Sequence, residues 1–416
     1  MSLSGALSAA VSGLNSQSNA LAVIATNLAN SSTTGYKSVS ASFASLLTDS
    51  ASKTGGVSMS TVSNVSAQGL LATSTTSTNM AISGNGFFVV STGPESNDIN
   101  YTRNGEFDVD KNGYLVSNGY YLQGWATDAD GNVLGTASTD NLVAVDTNAI
   151  STIAKATSTS SMIANLPAEA AVGDAFTSSL EVYDSLGTAA NVTVTWTKTA
   201  ANTWTADFSD PTLSSDATKD LGDTVGSISI SFNSDGTLAS TNPNPPVVTI
   251  SGWTTGAADS SIALDFGTAG SASGLSQYSS GAATLSVTVE TTQDGVPFGT
   301  LTAIEIGANG TVNALYDNGM TRAIYKIPVA TFANSNGLTA LSGGIYSASK
   351  ASGTSTLRIA GTNGAGDILG SRLELSTTDT NEEFSKMMAA QQAYSGSAQV
   401  MSAANSMFDT LISAVR

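Results

Sequence analysis

The chain has 416 residues, 41% of them hydrophobic and only 11% charged, with a formal net charge of -18; that length holds about two to four domains. Cysteine and histidine are both absent, which removes thiol nucleophiles, disulfides, Ser-His-Asp triads, haem ligation and nearly all zinc sites. The acidic charge is spread thinly and no basic run occurs, so nucleic acid and acidic membrane surfaces are excluded as partners.

In residues 1–37, Leu3, Leu7, Ala10, Leu14, Leu21, Ile24 and Leu28 recur at alternating four- and three-residue steps, with Gln17 in the one gap. This a/d heptad seam predicts a helix that packs along a partner helix. No Asp, Glu, Lys or Arg precedes Lys37. Outside the seam the residues are neutral and polar, as at Ser8, Ser12, Asn15, Ser16, Ser18 and Asn19, whereas a solvated lone helix usually carries charge. The helix stops in Asn27-Leu-Ala-Asn-Ser-Ser-Thr-Thr-Gly-Tyr-Lys37, where Gly35 suits a positive φ. The N-terminus lacks a basic n-region, and its longest apolar run, 20–25, is too short for a signal peptide. No segment approaches the ~20 apolar residues of a membrane span. The chain is expected to be cytosolic, or exported with its N-terminus uncut.

Residues 38–79 are Ser/Thr-rich with scattered apolar positions (Phe43, Leu46, Leu47, Val57, Val62, Val65, Leu70, Leu71) and read as an extended or irregular connector, or as short strands ordered only against a neighbour. From Met80 the pattern changes to short alternating runs punctuated by Asn104-Gly105, Asn112-Gly113 and Asn118-Gly119. Such pairs signal tight hairpins and a compact antiparallel β domain. After a polar crossing, 147–161, a second β-rich unit carries strand candidates beginning at Val192, Trp204, Ile228 and Val247. Turn clusters separate them, which suits a sandwich or barrel. Beyond Gln293 the style of the first β domain returns, so the second unit is expected to be inserted into the first.

At the C-terminus Phe384, Met387, Tyr394, Ala398, Met401, Phe408, Ile412 and Val415 repeat the heptad spacing. Thr380-Asn-Glu-Glu383 reads as a capping box, and Asp379 and Arg416 suit the two ends of the helix dipole. The predicted fold class is mixed and mainly β: two long terminal helices pairing as a coiled-coil-like stem, and two antiparallel β domains. The boundaries are 1–30 and 376–416 for the helices, 31–79 for the connector, 80–160 and 286–375 for the first β domain, and 161–285 for the insert. Because Gly5, Gly13 and Gly396 fall inside the helices, they are expected to be poorly ordered alone and to fold on assembly.

Two chemical readings fail on their residues. Asp108-Val-Asp-Lys-Asn-Gly113 fits the first half of a calcium loop, but the twelfth position is Gly119 where a bidentate Glu is needed. Carboxylate pairs suited to glycoside cleavage do not fall in an aromatic-rich stretch. No enzyme activity, metal or cofactor is expected.

Three motifs resemble the bacterial flagellar axial rod/hook family, and within it the hook proteins. Asn27, Asn30, Gly35, Tyr36 and Lys37 lie in an Asn-x-Ala-Asn…Thr-x-Gly-Tyr-Lys signature. Gly84, Asn85, Gly86 and Phe87 lie in Ser83-Gly-Asn-Gly-Phe-Phe-Val-Val90, followed by Tyr101-Thr-Arg-Asn-Gly-Glu-Phe107. Glu382-Glu-Phe through Tyr394 is similar to the start of the family's C-terminal helix. Residues 166–284 carry no such likeness. The family often has Ser-Asn-Val-Asp-Leu before that helix, where this chain has Ser376-Thr-Thr-Asp-Thr380; losing two apolar anchors predicts a looser join. The resemblance implies a structural subunit that polymerises into a short curved tube acting as a universal joint between rod and filament. It also implies terminal helices forming the inner tube, β domains outside, and export through the flagellar type III apparatus. The implied partners are copies of itself, the rod and hook–filament junction proteins, and the hook cap and export apparatus during assembly. The alternatives are the distal rod protein of the same family, against which the inserted unit counts, and a secreted β-rich adhesin or carbohydrate-binding module, against which the heptad N-terminus counts.

Overall fold

The computed structural model describes residues 3–46 and 55–415. Leu47, Arg416 and the side chains of Leu3 and Val415 lie outside the described residues. The fold is mainly β, with helix α1 (Leu3–Ala29) at one end and α2 (Thr380–Val415) at the other. Two compact units are present. The first comprises Met1–Ala149, Ala303–Ala314 and Thr321–Arg416; the second comprises Ile150–Thr302 and Leu315–Met320.

In the first unit, strands from both halves of the chain interleave. Phe87–Ser91 lies between Ile99–Thr102 and Tyr120–Ala126, and also pairs with Pro328–Thr331. Ile99–Thr102 is flanked on its other side by Ile345–Ser347, and Met80–Ser83 pairs with Asp367–Gly370. Val65, Phe87, Val89, Tyr101, Ala330 and Tyr346 form a buried cluster, with Phe87 edge-on to Phe332 and Tyr346.

The three Asn-Gly pairs divide into three situations. Asn118 and Gly119 both take positive φ between Leu115–Ser117 and Tyr120–Ala126, the two-residue turn that their chemistry favours. Asn112-Gly113 sits in a longer loop whose amides are held by Asp110: its Oδ1 accepts from Asn112 N at 2.9 Å and Tyr114 N at 2.8 Å. Asn104-Gly105 is not a hairpin turn. Gly105 is required there by close approach, since a Cβ would lie 1.6 Å from the Met80 carbonyl oxygen.

Within residues 38–79, read as an extended or irregular connector or short strands ordered against a neighbour, β1 (Val39–Leu46) and β2 (Gly56–Ser63) form an antiparallel hairpin docked on α1. Ser16 Oγ donates to Val57 O at 3.1 Å, and Val57 N donates to Ser12 Oγ at 3.2 Å. Serine hydroxyls and backbone hold it, so the apolar periodicity that marks most strands is weak.

The second unit is a sandwich. Five longer strands (Ala175–Tyr183, Ala189–Ala200, Thr203–Phe208, Ser227–Phe232, Leu238–Asn242) build one sheet. Thr159–Asn165, Val247–Ser251, Ser260–Asp265 and Val289–Gln293 build most of the other. Alternate residues point inward, and Trp196, Trp204, Ile228, Ile230, Val248 and Ile262 share one core. The second sheet is mixed, not antiparallel: Thr159–Asn165 runs parallel to Ser260–Asp265 and to Leu275–Ser276.

Asp294 fastens the start of this unit. It accepts from Ser158 Oγ at 2.6 Å and from the amides of Ser158 and Thr159, with Lys155 Nζ 3.0 Å away. Burial opposes its ionisation, but these donors outweigh that and hold the carboxyl well below the usual carboxylate range. The ionised form therefore stabilises the fold above the ordinary Asp value of about 3.9, and this is lost as pH falls through the lower folded value. Asp294→Asn is expected to remove about 1–3 kcal/mol at neutral pH, with the gap narrowing in acid. Thermal unfolding of both forms down to about pH 2 checks this; a gap independent of pH would contradict it.

Candidate assembly site

The helix pair is built on small residues. Gly5, Ala10, Ser16, Ala20, Ile24 and Asn27 are buried on α1, and Glu383, Ala390 and Ala404 on α2. A Cβ on Gly13 would lie 3.1 Å from Ser397 Oγ, while Asn27 Nδ2 reaches Glu383 Oε2 at 3.2 Å. The two helices therefore run antiparallel, close enough that larger side chains would hold them apart.

The seam drawn from large apolar residues lies partly beside this contact. Ile24 falls within it. Leu7, Leu14, Leu21, Leu28, Met387, Met401 and Phe408 are half-buried, and Phe384, Tyr394 and Ile412 are exposed. Heptad reading by side-chain size selects the flanking leucines, whereas close approach selects Gly, Ala and Ser one position away. On α2, Met388, Val400, Met407 and Leu411 are also exposed, each by half or more. A groove of about 460 Å³ opens between α1, α2 and β1, lined mainly by Ala20, Val23, Ile24, Phe43, Ala390 and Ala393.

Below the helices, the two chain segments that leave them are joined to each other. Gly35 N donates to Glu374 O at 2.7 Å, Thr377 N to Tyr36 O at 3.1 Å, and Ser38 N to Thr377 Oγ1 at 2.9 Å. Residues 376–380, expected to make a looser join, are thus fastened by backbone and hydroxyl bonds instead of apolar anchors. Thr378 N also donates to Ser376 Oγ, and Asp379 Oδ1 caps α2 through Asn381 N at 2.8 Å. Asp379, not Thr380, is the capping side chain.

The motif residues converge on this neck. Asn27 bonds both ways to Val39, at 2.7 Å from its Nδ2 to the carbonyl and 3.0 Å from the amide to its Oδ1, and accepts from Tyr36 Oη. Asn30 closes the end of α1, donating to Thr26 O and accepting from Thr33 Oγ1. Gly35 has φ 68°, and a Cβ there would sit 2.7 Å from Asn104 N, so conformation and space both require glycine. Gly84 O accepts from Arg103 Nη2 at 2.7 Å, Asn85 O accepts from Gly366 N, and Gly86 is buried against Val329. The Arg103 guanidinium lies over the Phe87 ring, 5.3 Å from its centroid.

One buried carboxylate gathers these pieces. Glu374 Oε1 accepts from Lys37 Nζ at 2.6 Å and Gly69 N at 2.7 Å, and Oε2 accepts from Arg103 Nη1 at 3.2 Å. The Glu374 side chain is fully enclosed, and those of Lys37 and Arg103 are 1% and 2% exposed. Lys37 also donates to Ala67 O, and Arg103 to Ile82 O. Burial pushes both cations below their ordinary values, opposed by Glu374, and burial lifts the neighbouring Tyr346 phenol to about 12. Glu374, the bond of Glu383 to Asn27 and the pairing role of Arg103 are not read from the sequence. One signal was available: Lys37 is the first charge in the chain, and a lone cation beside apolar and small residues needs a partner.

Four family models match successive stretches of the chain. These are the flagella basal body rod protein (7–37), the flagellar hook protein FlgE/F/G D1 domain (81–160), the flagellar basal body protein FlaE D2 domain (156–296) and the flagellar basal body rod FlgEFG protein C-terminal (370–414). The flagellar hook protein FlgE of Rhizobium meliloti is 33% identical over 100% of both chains. The chain belongs to the flagellar hook protein family. It is a structural subunit of the flagellar hook. The FlgE of Escherichia coli K12 is likewise 33% identical, over 98% of this chain and 99% of its own. The crystal structure of Helicobacter pylori flagellar hook protein FlgE2 shares the fold, with a TM-score of 0.50 at 15% identity over 73% of this chain and 100% of that one. Membership implies a homopolymer with flagellar partners. Among the described residues, no helix is long and apolar enough to cross a membrane.

Proposed function

We propose that the chain assembles through its terminal helices into the inner wall of a curved tube, with the second unit inserted into the first and projecting outward. The observation that carries this reading is the unfinished helix pair. Large apolar side chains at Phe384, Met388, Val400, Met407, Leu411 and Ile412 remain exposed along α2, and an open apolar groove lies against its first half; such uncovered apolar surface marks an interaction face. Contacts between different faces of identical subunits generate a helical polymer when their rotation does not close a ring. The coiled-coil character of the stem, export through the flagellar type III apparatus with an uncut N-terminus, and contacts with the rod, junction and cap proteins belong to the same proposal.

The insertion has a direct test. Chain entering and leaving the sandwich touches: Ser160 pairs with Gln293, and a Cβ on Gly295 would lie 2.2 Å from Thr157 Oγ1. Replacing residues 158–294 with a short Gly/Ser linker is expected to leave a chain that still forms tubes, with altered curvature and bending stiffness. Electron microscopy of those tubes decides it. Absence of tubes would make the second unit part of the assembly interface, and unchanged curvature would show that it does not set shape.

A further inference from the structure

The neck raises a mechanical question. The segments 35–38 and 374–378 are short and hold little apolar side chain: Gly35, Ser38, Ser376, Thr377 and Thr378 supply most of them. Packing alone does not fix such chain. Backbone bonds join the two segments to each other, Ser38 O accepts from Asn64 N at the end of β2, and Leu375 N donates to Leu70 O beside the pairing of Arg372–Glu374 with Leu71–Thr73. The Glu374 side chain adds a charged link from the N-terminal segment to Arg103, just after the strand Ile99–Thr102. Its two oxygens touch three separate pieces: Lys37 from the N-terminal segment, Gly69 from the chain beside the Leu71–Thr73 strand, and Arg103 from the β unit.

We propose that Glu374 is a positioning residue that clamps the terminal helix pair to the first β unit, so that twist applied to the helices passes into the β unit instead of dissipating in the neck. The load rests on the hook reading above; the clamp rests on the geometry. A buried ion pair suits this task because it has one low-energy arrangement. Sliding the neck by an ångström or two would leave two enclosed cations facing carbonyls alone, and removing one partner of a buried pair is strongly unfavourable. An apolar contact of the same size tolerates such sliding. Arg103 is itself fixed, stacked on Phe87 and bonded to Gly84 O and Ile82 O. Lys37 is fixed by Ala67 O. Glu374 therefore joins two anchored cations, one on each side of the neck.

The test uses the full chain as the sole hook subunit in a motile strain. Two quantities are read: torsional stiffness of single hooks from the rotational fluctuations of a tethered cell, and hook number and length by electron microscopy. Glu374→Gln keeps shape and removes the charge. Hooks of normal length are expected, with torsional stiffness lower by about two-fold or more. Because Glu374→Gln strands two cations and can impair folding, a second variant accompanies it. Lys37→Met with Glu374→Gln keeps the net buried charge of the cluster and leaves Arg103 on its carbonyls, while untying the N-terminal segment. It is expected to melt close to the parent and still give soft hooks, a combination that a purely structural role does not produce. Parental stiffness in the folded double variant would overturn the clamp. So would folded variants that make no hooks, since the cluster would then act in assembly. A parent chain that itself forms no hooks would instead refute the hook reading.

Discussion

A chain lacking residues 1–30 and 380–416 is expected to fold, to remain monomeric, and to form no tubes at concentrations where the whole chain polymerises. The sandwich core and the Phe87 cluster contain no residue from either helix, so both are expected to survive the truncation. The Lys37–Glu374–Arg103 contacts also lie inside the retained stretch. What is lost is the helix pair with its exposed apolar residues, together with the support of the β1–β2 hairpin, whose serine contacts on α1 disappear. Thermal unfolding should retain the transitions of the β units, and gel filtration with electron microscopy should show monomer alone. Tubes from this fragment would place the assembly interface on the β units.

The second large effect is expected from Ala20→Asp. Ala20 is 3% exposed and sits where α1 meets α2. A carboxylate there has no cation beside it among the groove residues except Lys386, which is already bonded to Glu382 and Glu383. Burying it unpaired where the helices meet costs about 2–4 kcal/mol. The helices should separate or fray while the β units melt as in the parent. Loss of motility and of hooks in a strain carrying only this variant is the expected result. Normal hooks would show that pairing within the chain is dispensable for assembly.

Much of this architecture is legible in the residues because its signals are local. The strands beginning at Val192, Trp204, Ile228 and Val247 alternate inward and outward over their lengths, and alternation is visible without knowing what lies opposite. The terminal helices announce themselves by period. Their contact line is harder to see, since close approach is made by Gly13, Ala20 and Ala390 and not by the leucines that dominate a hydrophobic count. The pairing of β1 with β2 is not legible, because Ser12 and Ser16 dock the hairpin through hydroxyls and leave little apolar alternation. Gly105 is misleading for a related reason: the Asn-Gly pair imitates a turn, yet the glycine answers to the Met80 carbonyl, a contact made across sequence. Glu374 is the least legible of all. Its partners lie 337 and 271 positions away, and only the isolation of Lys37 hints that such a partner exists.

Assembly of this chain into a hook through its terminal helices follows from the exposed helix pair proposed above to form the inner wall. Electron microscopy of the purified full-length chain under polymerising conditions tests it most directly. Curved tubes with a central channel, disassembling to monomer when the helices are removed, are the expected result. Straight rods would favour the distal rod protein, and a chain that stays monomeric under every polymerising condition would contradict assembly altogether.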